Sequence, residues 1–305
     1  MDWPFGAYPE GGLERLAPHV TAYYGEVLPL SNSAIVRGSD ATLVFDANVG
    51  AAAAALRAEV DRAGPPLRYL VLSHVHTDHT LGAMAFSPPA RVLARSYTRD
   101  RLAKWVADPS TLPTGNFDDE LRIVVPEEAV DAERSIDLGG VTVHLHAEPT
   151  PAHTKADLWA TVEPDGVVLC GDLWFKDCEP YLGSGSLVGA ITAIQRLRDV
   201  RGAVYLPGHG PSGQLDPRAG EDPVERFIRW MFRETRRGMR RGRSGADLAT
   251  LVRDRLDERA RRPGWFQFGR NWIGRRPQFE FPVSVFGFLE DSVAAAERDV
   301  RGAGS

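Results

Sequence analysis

The chain has 305 residues, 43% of them hydrophobic and 25% charged, with a formal net charge of -5. That mixture buries a core and excludes a disordered or fibrous chain, and its acidic balance gives no reason to expect a nucleic-acid partner. Cys170 and Cys178 are too few for a disulfide framework. The N-terminal "MDWPFGAYPEGGLERL" lacks the basic and apolar regions of a secretion signal, and no stretch approaches the roughly 18 apolar residues of a spanning helix. A cytoplasmic protein that keeps away from membranes is the expectation.

From Val20 to Asp46, "VTAYYGEV", "SAIVRG" and "ATLVFDA" are short, rich in β-formers and separated by turn residues, so they read as an antiparallel meander. "AAAAALRAEVDRAG" is a helix ending at Gly64, with two prolines blocking continuation. "LRYLVLSH" is an apolar run of the kind buried on both faces, followed by the helix-like "DHTLGAMAF", the strand "ARVLAR" and the helix "YTRDRLAKWVAD". "ERSIDLGGVTVHLHAEP" and "LWATVEPDGVVLCGD" read as hairpins, "LVGAITAIQRLRDV" as a helix, and "AVYLPGHG" as a last buried strand. Antiparallel strands followed by helix-connected strands, twice over, predict two facing sheets with helices outside. After Pro211 the composition shifts to two helices, an aromatic irregular stretch holding Trp265, Phe266, Phe268 and Trp272, and a closing helix. The expected division is a core over 1–220 and a helical, aromatic appendage over 221–305 packed on it.

The chemistry concentrates in "SHVHTDHT", residues 73–80. Alternate residues of an extended chain point the same way, so His74 and His76 can reach one point while Asp78 and His79, on the turn into a helix, reach a neighbouring one. Zinc usually takes four ligands, so neither point is complete without donors from elsewhere. His153 after one strand, and Asp172 and His209 at the ends of two others, supply them.

His74-x-His76-x-Asp78-His79, then His153, Asp172 and His209, in that order, resembles the metallo-β-lactamase superfamily. The resemblance runs from about Val20 to Pro211 and is close around "GDLWF" and "LPGHG". It implies an α/β, four-layer αβ/βα sandwich, with His74, His76 and His153 holding one zinc, Asp78, His79 and His209 a second, and Asp172 bridging them. Asp46 matches the position where the family commonly places an aspartate beneath the ligands, and such a carboxylate holds a metal-bound histidine's other ring nitrogen. Asp157 and Thr154 are weaker candidates of that kind. Cys170 reads as packing, which argues against the cysteine-ligated lactamases. His144 and His146 read as a strand-surface pair, and neither His19 nor Cys178 acquires a role.

Two zinc ions about 3.5–4 Å apart would share a water and lower its pKa to around 7. The expected activity is therefore a metal-dependent hydrolase of an ester, thioester, lactone or amide, with a metal-bridging hydroxide as nucleophile and Asp78 or a metal-bound water moving the proton. Trp174, Phe175, Lys176 and Tyr181, following the bridging aspartate, are the expected contacts to a small-molecule, acyl-bearing substrate. "YYGEVLPLSNS" is an expected flap, and "RETRRGMRRGR" a solvated helix face. The alternatives are an iron-binding redox protein, although the oxygen-reducing diiron pattern has Glu where this chain has His76, and a non-catalytic metal-binding protein.

Overall fold

The computed structural model describes residues 12–25, 31–113, 121–176, 180–215, 218, 220–260 and 288–302. One sheet has seven strands in the order β1 (Leu13–Arg15), β2 (Val20–Tyr24), β3 (Asn32–Arg37), β4 (Thr42–Phe45), β5 (Leu67–Val71), β6 (Arg91–Ala94) and β7 (Glu128–Ala129). Strands β1 to β4 pair antiparallel, as the meander predicts, and β4 to β7 pair parallel. The second sheet takes β8 (Arg134–Asp137), β9 (Thr142–Ala147), β10 (Leu158–Glu163), β11 (Val167–Phe175) and β12 (Val204–His209) in sequence order from its edge. Only its β11–β12 pair is parallel. Seven α-helices lie among the described residues: α1 (Gly50–Arg62), α2 (Thr77–Thr80), α3 (Ser96–Ala107), α4 (Leu187–Asp199), α5 (Pro223–Met239), α6 (Gly245–Ala260) and α7 (Phe288–Gly302).

The period of two along the strands builds the layers. In β3 and β4, Ala34, Val36, Leu43 and Phe45 face inward against Val143, Leu145, Leu158 and Leu169 of the other sheet. Their neighbours Ile35 and Val44 face outward with Leu56 of α1 and Leu102 and Trp105 of α3. The outer face of the second sheet, through Val168 and Cys170, packs with α4, α5, α6 and α7 in one continuous apolar cluster. The result is a helix–sheet–sheet–helix sandwich, the αβ/βα architecture expected. Each fully buried Leu or Val in these layers stabilises by about 1.5–3 kcal/mol.

The helical stripe of α5 buries Phe227, Trp230, Met231 and Thr235. Its opposite face exposes Arg233, Arg236 and Arg240 to solvent. Pro223 at the start of α5 and the Asp222 carboxylate accepting from the Val224 and Glu225 amides fix where the helix begins. No helix among the described residues is long and apolar enough to cross a membrane. The aromatic stretch from Trp265 to Trp272, and Cys178, lie outside the described residues.

Candidate metal centre

Parallel pairing brings the carboxyl ends of β4 and β5 together in one sheet and those of β11 and β12 together in the other. The Leu158 amide donates to the Ser73 carbonyl at 2.7 Å, stitching the two sheets at this edge. Asp46 follows β4 in a left-handed backbone conformation, with φ 63°. That turn aims its carboxylate under the segment after β5: Oδ1 accepts from the Ser73 amide at 2.7 Å, and Oδ2 accepts from Ser73 Oγ at 2.7 Å and from His79 Nδ1 at 2.8 Å. Ser73 Oγ also lies 2.9 Å from His74 Nδ1, and because its own proton goes to Asp46 it accepts there.

One carboxylate thereby sets two tautomers. His74 and His79 both engage these partners through Nδ1, so that in their neutral forms the proton lies there and Nε2 of each faces the space between the sheets. His76 is reversed: its Nε2 meets Ser184 Oγ at 2.9 Å and its Nδ1 points inward.

The inward atoms form two groups. His76 Nδ1 lies 3.0 Å from His74 Nε2 and 2.8 Å from His153 Nε2, and Asp172 Oδ2 lies 3.1 Å from His153 Nε2 and 3.8 Å from His74 Nε2. Asp78 Oδ2, His79 Nε2 and His209 Nε2 are separated by 3.3 to 3.5 Å. Asp172 joins the groups, its Oδ1 at 3.1 Å from His79 Nε2 and its Oδ2 at 3.5 Å from His209 Nε2. Nitrogen ligands about 2.0–2.1 Å from a tetrahedral zinc stand roughly 3.4 Å from one another, so both groups have the spacing of a ligand shell.

The charges point the same way. Asp172 Oδ1 is buried and stands 3.1 Å from His79 Nε2. Two acceptors in contact repel unless a cation sits between them. In the metal-free chain that cation is a proton. Burial disfavours a charged His79, but Asp172, Asp78 and Asp46 outweigh it and hold the ring well above its ordinary pKa. Burial likewise opposes charge on His209, yet Asp172 and Asp78 push it up to about 9. Burial and the neighbouring His153 instead press His76 down to about 3, and burial with His79 lowers His74. His74 and His76 are thus kept ready as neutral nitrogens. Asp172, buried, and Asp78, partly buried, are held below the usual carboxylate range by the surrounding imidazoles, which outweigh the desolvation that favours their neutral forms.

Gly208 is needed for this arrangement: a Cβ there would stand 1.8 Å from Asp172 Oδ1. The other residues singled out in the sequence fall in different places. The Phe175 ring stacks on His209 at 5.5 Å and 7°, and Tyr181 lies edge-on to His76 at 5.4 Å and to His153 at 6.2 Å, so both border the cluster. Lys176 donates its amide to the His209 carbonyl at 3.1 Å, while its aliphatic stem runs beside Gly213. Trp174 is 1% exposed, packs edge-on to Tyr205 and donates Nε1 to Asp222 at the head of α5, which sets it under the helices. Asp157 accepts from the Thr154 amide and hydroxyl, bracing the loop after His153. His144 and His146 lie on one face of β9, bound to Ser135 and Thr161 and facing Glu163 and Glu133. His19 holds Asp165.

Three supports escaped the sequence reading. Asn32, buried at the start of β3, donates through Nδ2 to the carbonyls of Pro207 at 2.9 Å and Gly210 at 2.7 Å, straddling His209. Ser31 Oγ donates to the Asp78 carbonyl at 2.6 Å. Ser31, Asn32 and Ser33 are therefore buried framework rather than the free end of a flap. Ser184 is the third. The available signal was "SNS", polar residues placed where a buried strand begins.

The sequence profile of the metallo-beta-lactamase superfamily matches residues 28–209, and the chain belongs to that superfamily. Among solved structures it is similar to a metallo-beta-lactamase from Pontibacter korlensis, with 18% identity, a TM-score of 0.54, and 67% of this chain and 93% of that one covered. It is similar also to a metallo beta lactamase from Hirschia baltica, with 16% identity, a TM-score of 0.53, and coverage of 71% and 96%. At such identity the likeness is one of fold. No curated protein matches the sequence.

Proposed function

We propose that the chain is a dinuclear, zinc-dependent hydrolase of an ester, thioester, lactone or amide bond in a small, acyl-bearing molecule. His74, His76 and His153 would hold one zinc, Asp78, His79 and His209 the other, and Asp172 both. The observation that carries this reading is the convergence of seven donors into two groups that meet at Asp172, each group with the spacing of a ligand shell. A set dominated by imidazole nitrogen with a few carboxylates suits zinc better than magnesium or calcium, which prefer oxygen. When bound, the metals supply Lewis-acid polarisation of the scissile carbonyl and a hydroxide nucleophile near neutral pH.

The protein's own groups do the rest. Asp46 and Ser73 fix the tautomers of His74 and His79, so that donors need not reorganise. Asp78, whose side chain is 22% exposed where Asp172 is 4% exposed, is the carboxylate placed to take a proton from solvent and pass it to the leaving group. Phe175 and Tyr181 border the cluster with apolar surface, which favours an acyl chain over a highly charged substrate. Residues 1–220 would form this catalytic core and 221–305 its appendage.

Metal analysis of purified protein, combined with a panel of chromogenic esters, thioesters, lactones and β-lactams, tests the reading. Two zinc ions per chain with turnover of one class is the expected result. Iron with no hydrolysis would point to redox chemistry instead, and protein without metal or turnover would remove the enzyme assignment.

A further inference from the structure

Among the described residues, the outward nitrogen of His76 is held by Ser184, which lies outside the strand ends that carry the ligands. Its partner, Ser184, lies in "YLGSGS", residues 181–186, a stretch rich in glycine and serine. The structure makes it a packed segment. Gly185 presses on the backbone before His153, where a Cβ would fall 1.9 Å from the Ala152 carbonyl oxygen, and the Ser186 amide donates to that same oxygen at 2.9 Å. The segment thus touches the backbone leading to one ligand and the ring of another.

Its far side is gripped by the C-terminal helix. Ser292 Oγ accepts from the Leu182 amide at 3.3 Å, and Arg298 Nη2 donates to the Gly183 carbonyl at 2.9 Å. The Asp299 carboxylate accepts from Ser186 Oγ at 3.0 Å and from the Val188 amide at 3.2 Å. Ser292 and Asp299 are seven residues apart, two turns of α7, and so share a face. Asp299 also sits at the amino end of α4, where backbone amides and the helix dipole favour a negative charge. Four polar contacts therefore clamp the loop on both sides of Ser184.

We propose that Ser184 is a positioning residue for His76, and that α7 holds Ser184 in place, making the C-terminal helix a working part of the first metal site. This rests on the reading of His74, His76 and His153 as metal ligands. With Nδ1 turned to the metal, His76 must carry its proton on Nε2, and Ser184 Oγ accepts it. Losing such a partner typically weakens metal binding about 10–100-fold.

The test is zinc affinity by chelator competition on full-length protein, run on wild type, Ser184→Ala, Ser184→Thr and the double variant Arg298→Ala/Asp299→Asn, with a thermal melt of each. Ser184→Ala should lose about 10-fold or more for one of two zinc ions and keep the other, with an unchanged metal-free melt. Ser184→Thr, which keeps the hydroxyl, should recover most of the loss, and the double variant should lose in the same direction as Ser184→Ala. Ser184→Ala binding both ions within twofold of wild type, or Ser184→Thr as weak as Ser184→Ala, would overturn the role of Ser184. Wild-type affinity in the double variant would overturn the part given to α7. A wild-type chain that takes up no zinc would refute the metal-centre reading itself, and this inference with it.

Discussion

Asp46→Asn is a nearly isosteric change that tests whether one buried carboxylate sets the tautomers of two ligands. Asp46 accepts three hydrogen bonds, from the Ser73 amide, the Ser73 hydroxyl and His79 Nδ1. Asparagine has one acceptor oxygen, so one side of the group becomes a donor. With the amide nitrogen toward the Ser73 amide, two N–H groups meet at 2.7 Å in a fully buried place, at a cost of about 1–3 kcal/mol in folding stability. With it turned the other way, His79 must move its proton to Nε2. The Ser73 hydroxyl must then donate to His74 Nδ1, which requires His74 to be protonated on Nε2 also. That orientation spares stability and blocks a lone pair in each metal group. Either way metal binding suffers, by about 10–100-fold, or roughly 1.4–2.8 kcal/mol. The assay is zinc affinity by chelator competition alongside a melt of the metal-free protein. Ser73→Ala, which cuts the relay to His74 but leaves His79 on Asp46, should weaken only one of the two zinc ions. An Asp46→Asn protein matching wild type in both zinc affinity and melting temperature would refute the tautomer argument.

Zinc loading at pH 7 should release about two to three protons per chain: one each from His79 and His209, whose raised pKa values keep them protonated in the metal-free fold, and up to one from water that becomes the hydroxide. Calorimetric titration in buffers of different ionisation enthalpy counts them, and a release near zero would contradict the assignment of these two rings. Both rings have raised pKa values, so their contribution to metal-free stability is present below the ordinary histidine value of 6.5; that of His209 is lost as pH rises through about 9, and that of His79 is lost as pH rises through its own raised value. The metal-free melting temperature should fall across that window, and the zinc-loaded one should not follow it. Gly208→Ala should abolish zinc binding at both groups, since the new methyl meets the bridging carboxylate, and retention of two zinc ions would refute the close approach. Asn32→Ala should lower the melting temperature, stripping two carbonyls of their donor at about 1–3 kcal/mol each, and should depress kcat through His209; an unchanged melt would remove that support.

The layers were legible because they follow from periodicity. Alternating Ala34, Ile35 and Val36 sort themselves to the two faces of a sheet, and α5 carries its own inward stripe. The edge strands β1 and β7, three and two residues long, carry no periodic signal and exist because a longer neighbour offers them a ladder. The seven-donor cluster was legible for a different reason: histidine and aspartate at strand ends, in a fixed order, have few other uses.

What remained hidden in the sequence is what holds those donors. Ser73 was visible only as a residue beside a motif, yet it links Asp46 to His74. Asn32 holds carbonyls 175 and 178 positions away, on either side of His209, and Ser184 meets the His76 ring 108 positions away, through contacts that exist only once the sheets have closed. A ligand is recognisable by its side-chain chemistry, but a support is recognisable only by where it points. That difference explains why "SNS", read as part of a flap, and "GSGS", which carried no reading of its own, become two packed segments that brace the cluster. It also fixes the order in which damage should appear: loss of a ligand removes a metal outright, whereas loss of a support leaves the donor present but misdirected, weakening affinity before it abolishes turnover.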